Sequence, residues 1–281
     1  MSTRHICQSV ISLRGKWKFE GLTHVNHLQF CPRLKANSGS YLKQVCVSHA
    51  MATKFRTSEA STSPHPFRAF IAEPNFPCVG AKSALANGLL HIIAARDLTS
   101  SWNDLEIHRA LMDWTRAYKA DPAGLRSLAV IFDGPGGLDE EAFEEALWER
   151  IQSLADKDAW KGLPYDPRVC PDPDNPHFSL SFGGEAFFVI GLHPRSSRPA
   201  RRFDKPALVF NLHDQFERLR AEGRYERMRE RILARDADLA GSINPMLARH
   251  GETSEAAQYS GRLVEADWKC PFQDPRAQND D

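Results

Sequence analysis

From Phe67 onward the chain alternates between stretches of helical period and short β-branched or aromatic runs. In NDLEIHRALMDWTRAYKA, Leu105, Leu111, Trp114 and Tyr118 recur near helical spacing, charges fill the opposite face, and Asn103 is a candidate N-cap. SLAVIFDGPGG follows, an apolar run stopped by Gly-Pro-Gly-Gly, which predicts a buried strand ending in a turn. A helix is predicted from about Asp139 to Lys157, with first-turn acids that suit the positive helix end. The proline-rich LPYDPRVCPDPDNPH predicts an irregular loop. FSLSF and AFFVIGL, joined through Gly183, Gly184 and Glu185, predict an antiparallel hairpin, and PALVFN predicts one more strand. A long helix from about Asp214 to Arg235 follows, then GSINPML, a break at Gly251 and YSGRLVEADWKCPF. A hairpin inside this order is incompatible with an all-parallel sheet. The expected fold class is therefore α+β, a mixed or antiparallel sheet covered by helices in a single domain.

Residues 1–66 lack this patterning, being basic, Ser- and His-containing and without sustained period. They read either as a transit-like or flexible leader or, preferentially, as a stretch upstream of a working start at Met51. Residues 273–281 read as a flexible tail. Composition narrows the classes: 42% hydrophobic and 10% aromatic residues are enough for a full core and exclude disordered, collagen-like and coiled-coil chains. Apolar runs of about seven residues fall far short of the roughly 20 that span a bilayer, so no membrane association is expected. The formal charge is zero, but residues 1–60 carry nine Lys or Arg against Glu20 and Glu59, leaving the remainder net acidic by seven. No nucleic-acid footprint is therefore expected. Six irregularly spaced cysteines without a C-x-x-C pair fit reduced thiols and a cytoplasmic protein.

The candidate chemistry gathers after the AFFVIGL strand, in GLHPRSSRPARRF. His193 follows a buried strand directly and could project an imidazole into a pocket at the sheet's end. Its alternative is a core histidine satisfied by a carbonyl. Arg195, Arg198, Arg201 and Arg202 come within eight residues, and guanidinium forks match carboxylate or phosphate geometry. Cys78, in FPCVGAKSAL, precedes a segment that can open a helix, whose positive end favours a thiolate. Cys270, in WKCPF, carries the same ambiguity between reactive and buried. A zinc site from Cys78, His193, His213 and Cys270 lacks the usual local spacing. HGETSEAAQYSGR offers Glu252, Glu255, Tyr259, Ser260 and Arg262 for a polar ligand, or simply a capped helix. DGPGG lacks both the dinucleotide glycine order and the Walker lysine, and neither G-x-S-x-G nor H-E-x-x-H occurs.

On FPCVGAKSAL, PHFSLSFGGEAFFVIGLHPRSSRPARRF, LVFNLHDQFERLRAEGRYERMRERI, GSINPML, SEAAQYSGR and WKCPF, in that order over residues 67–272, the chain resembles the YqcI/YcgG family. The resemblance implies a haem-dependent monooxygenase that binds haem b and hydroxylates a nitrogen, notably of the guanidino group of L-arginine or of a related amine, in natural-product biosynthesis. It makes His193 the expected iron ligand with Cys78 as rival, since a thiolate favours O–O cleavage. Arg198, Arg201 and Arg202 would face the propionates, and Phe187, Phe188, Trp268 and Phe272 would wall the pocket. Glu185, Asp214, Glu252 and Glu255 are the acids available to a guanidinium, with Tyr259 beside them. The reaction consumes O2 and needs an external electron donor, a ferredoxin or reductase. The alternative is a haem-binding or redox-sensing module without turnover, using Cys170-Pro171 or Cys270-Pro271 as labile ligands.

Overall fold

Five apolar runs pair into one mixed sheet in the computed structural model of the protein, which describes residues 65–246 and 251–277. The strands are β1 (Leu90–Asp97), β2 (Ser127–Gly134), β3 (Leu180–Phe182), β4 (Glu185–Leu192) and β5 (Ala207–Leu212), in spatial order β1-β2-β5-β4-β3. β1 and β2 are parallel, with helix α3 (Asp104–Ala120) between them in sequence, whereas β2–β5, β5–β4 and β4–β3 are antiparallel. The expected α+β class with a mixed sheet therefore holds. Gly183 and Gly184 have φ of +63° and +76°, the left-handed pair that a tight hairpin turn requires.

Among the described residues six α-helices cover the sheet: α1 (Pro66–Ala72), α2 (Val79–Ala86), α3, α4 (Glu140–Trp160), α5 (His213–Ala221) and α6 (Tyr225–Ala240). The α4 start is capped by the Asp139 carboxylate, which accepts from the Ala142 N–H at 2.9 Å. Strand alternation sorts side chains to two faces. Phe187, Val189, Leu208 and Phe210 join α3 and α4 in the larger core, while Leu192, Ala207 and Val209 join α1 and α2 in the smaller one. Gly191 lies under α4, where an added Cβ would stand 2.7 Å from both Phe143 and Leu147; the glycine permits that close approach. No helix of the described residues is long and apolar enough to cross a membrane.

Three expectations need correction. The long helix from Asp214 is two helices, broken where Gly223 takes φ +65°. The tail expected from residue 273 does not hold through 277: Asp274 is buried, and Arg276 donates to Asp158 at 2.7 Å and to the Ser181 carbonyl at 3.0 Å. Strand β1 was not expected at all. The leader, with the choice of Met51 as start, lies outside the described residues apart from His65 and Pro66, and Pro66 begins α1.

Candidate functional site

A cavity of about 280 Å³ opens between the α1/α2 face of the sheet and helices α5 and α6. Its floor is supplied by strand parity: Phe188, Ile190 and Leu192 from β4, Val209 and Asn211 from β5, and Ser127 from β2. Phe67, Ile71 and Phe76 close one side, and Tyr225, Met228, Ile232 and Leu233 of α6 cover another. A few polar groups interrupt this apolar lining, the usual make-up of a small-molecule pocket.

Cys78 is one of them. It occupies the N-cap position of α2, and its Sγ accepts the Ala81 N–H at 3.4 Å. Burial pushes the thiol pKa up, partly offset by the backbone N–H groups of Ala81 and Gly80. Arg201 is another: it is only 8% exposed, and it donates to the carbonyls of Gln258 (2.7 Å), Tyr259 (2.9 Å) and Gly191 (3.2 Å), none of them a carboxylate. Burial lowers its pKa to about 10. Arg198 is paired with Asp236 of α6. At the Ser127 end, Arg126 is buried and Ser127 Oγ donates to Asn211 Oδ1 at 2.7 Å. The Nε atoms of Arg126 and Arg198 are buried with no hydrogen-bond partner among the described residues.

The sheet divides the residues singled out in the sequence. Cys78, Arg198, Arg201, Phe188, His213 and Glu255 line the cavity. His193 does not. Leu192 points to the cavity, so the next side chain turns to the other face, where the His193 ring stacks on Phe143 at 4.3 Å with planes 14° apart. Burial lowers its pKa. Arg202 also lies off the cavity, folded onto the carbonyls of Ser196 (3.0 Å) and Ser197 (3.2 Å), and exposed Arg195 reaches the Gly137 carbonyl. Phe187, Trp268 and Phe272 belong to the α3/α4 core, as does Cys270, whose thiol burial pushes up to about 12. His193 and Cys270 are thus separated from Cys78 and His213, and the four cannot share a zinc ion. Among the described residues no group of three or more His, Cys, Asp or Glu side chains could hold a metal. Cys170 is half-buried on the proline-rich loop, away from the cavity.

The acids scatter similarly. Glu185 pairs with Lys119 (2.9 Å) and Arg168 (2.7 Å) at the start of β4, Asp214 accepts from the Tyr118 hydroxyl (2.6 Å), and Glu252 is exposed. Glu255 alone of these reaches the cavity, held by the Ser179 hydroxyl at 2.7 Å and the Tyr259 hydroxyl at 2.6 Å. Tyr259 lies behind it, stacked on Trp148, and burial together with the Glu255 charge raises its pKa well above the ordinary value. Its hydroxyl holds the Glu255 carboxylate in place. Sequence reasoning missed Arg126, Ser127, Asn211, Gln215 and Asp236. Asn211 had a signal: it is the polar residue of the apolar run ALVFNL, two positions from Val209 and hence on the same face.

The YqcI/YcgG family model matches residues 67–273. The Bacillus subtilis (strain 168) protein YqcI, described as uncharacterized, is 30% identical over 213 residues, spanning 71% of this chain and 81% of that protein. No solved structure matches the chain. With the cavity lining and the five strands of the sheet inside the matched region, the chain belongs to the YqcI/YcgG family.

Proposed function

We propose that the protein is a haem-dependent monooxygenase that hydroxylates a nitrogen of a small amine or guanidine, such as the guanidino group of L-arginine, with haem b seated in the cavity and electrons delivered by a ferredoxin or reductase. The observation that carries this reading is a cysteine thiol at the wall of an apolar cavity whose lining also holds two buried arginines. Donor chemistry supports the fit. A thiolate is a haem-iron ligand, and N–H groups directed at the sulfur tune such a centre. Among the described residues Arg201 is a buried cation with no carboxylate hydrogen-bonded to it, and the unpartnered Nε atoms of Arg126 and Arg198 seek an acceptor, as propionates would provide. His193 contributes none of this, and Cys78 takes the ligand role.

Bound there, haem supplies the activation of O2 from which one oxygen atom reaches the substrate nitrogen. The chain's residues prepare that event. Cys78 would hold the iron through its sulfur as a thiolate, since a metal-bound thiol is deprotonated. Phe188, Ile190, Leu192 and Val209 keep water from the floor, which strengthens every charge contact inside. Glu255 accepts N–H donors of the amine or guanidine, and Ser179 and Tyr259 fix its carboxylate from behind. The test is turnover: protein loaded with haem and given a reductant system, O2 and L-arginine or simple amines should yield N-hydroxylated product. Haem loading without oxygen uptake or product from any of them would leave a haem protein and remove the monooxygenase assignment.

A further inference from the structure

On the face opposite the Cys78 cavity, α3 and the segments after α4 and before β4 enclose a second cavity of about 430 Å³. Its charged lining has one sign: Arg109, Arg116 and Lys119 from α3 and Lys161 just beyond α4, with no carboxylate. Glu185 answers Lys119 at 2.9 Å and Asp113 answers Arg116, while Arg109 and Lys161 form no ion pair among the described residues. The floor carries a second, independent observation. His108 and Thr115 both line the cavity, are 0% and 3% exposed, and leave His108 Nδ1 and Thr115 Oγ1 buried with no hydrogen-bond partner among the described residues. Unsatisfied buried polar atoms are rare enough to need an explanation.

The His108 ring has a defined orientation. Its Nε2 lies 2.7 Å from Asp158 Oδ1, and Asp158 also accepts from the Gly183 N–H at 3.0 Å and from Arg276 at 2.7 Å. Asp158 accepts the imidazole Nε2–H as well, and in the neutral ring Nδ1, on the side away from Asp158, is then an acceptor. The cavity thus offers one acceptor, one hydroxyl and two unpaired cations.

We propose that this cavity binds a phosphate group, either inorganic phosphate or the phosphomonoester of a small molecule. Monohydrogen phosphate complements it: its P–O–H donates to His108 Nδ1, one oxygen accepts from the Thr115 hydroxyl, and its remaining charge faces Arg109 and Lys161. Sulfate has the same shape and charge but no proton to donate, so His108 selects against it.

Calorimetric titration of the full-length protein near neutral pH and low ionic strength, with inorganic phosphate, phenyl phosphate and sulfate as separate probes, tests this. Phosphate should bind saturably in the millimolar range or tighter, and sulfate roughly tenfold or more weakly. Exposed Arg109 and Lys161 can be changed together to Gln without disturbing the core, and that variant should bind phosphate roughly tenfold less tightly. Phenyl phosphate competing with inorganic phosphate would identify the source as a phosphomonoester; failing to compete, it would leave inorganic phosphate as the ligand. No saturable phosphate binding, unchanged affinity in the Arg109→Gln/Lys161→Gln variant, or equal binding of sulfate would overturn the proposal.

Discussion

At the scale of single residues, the decisive event is the parity switch at the end of β4. Leu192 enters the cavity and His193, one position on, stacks against Phe143 on the other face. A histidine buried there is held below its ordinary value of 6.5, so below that value the folded state binds fewer protons than the unfolded one. Stability therefore rises with pH: the His193 contribution is complete above 6.5 and is lost as pH falls toward the lowered folded value. Thermal melts from about pH 7.5 down to about pH 5.5 should show a shallower loss for His193→Gln than for the parent, because the substituted side chain does not titrate. An unchanged slope would mean that another group sets the acid sensitivity. The sequence displayed both His193 and Cys78, but nothing local distinguishes a residue that ends a strand on one face from one that ends it on the other. That distinction needs the register of β4 against β5 and the helix that Gly191 admits beneath it.

At the scale of elements, patterning located four of the five strands and the two long helices of the α3/α4 layer, because those segments bury one face against a large core and their periods are unbroken. Strand β1, LHIIAARD, escaped because His91 and the small Ala94 and Ala95 dilute the apolar run, and its pairing partner β2 is distant in sequence. The α5–α6 stretch read as one helix because Gly223 is a single residue within a strongly helical composition. α6 differs from its neighbours in a way that bears on function: of its 16 residues only Asp236 is buried, against eight in α3 and ten in α4. Its apolar Tyr225, Met228, Ile232 and Leu233 face the cavity. A helix with so little buried area owes its stability to whatever fills the space beneath it. Hydrogen exchange of the α6 amides should therefore slow on haem loading, by roughly tenfold or more, while α4 amides change little. Equal exchange with and without haem would show that α6 is not a wall of the occupied site.

For the whole molecule, the sheet is a partition. One face carries α3, α4 and the C-terminal segment over a closed aromatic core; the other carries α1, α2, α5 and α6 around an open cavity. Residues adjacent in sequence, such as Leu192 and His193, serve different compartments, whereas Cys78 and Arg201, 123 positions apart in the numbering, line the same one. The candidate site was thus legible as a set of residue types but not as an assembly, since a constellation drawn from α2, β4 and the segment after it exists only once the sheet has formed. The proposed role of Cys78 is to hold haem iron in this cavity. Its most direct test is the absorption spectrum of the ferrous–CO complex in protein expressed with a haem precursor, compared with Cys78→Ser and His193→Ala. A band at about 450 nm is expected in the parent and in His193→Ala, shifted or lost in Cys78→Ser. A band at about 420 nm that only His193→Ala abolishes, or a colourless protein that cannot be reconstituted, would contradict that role.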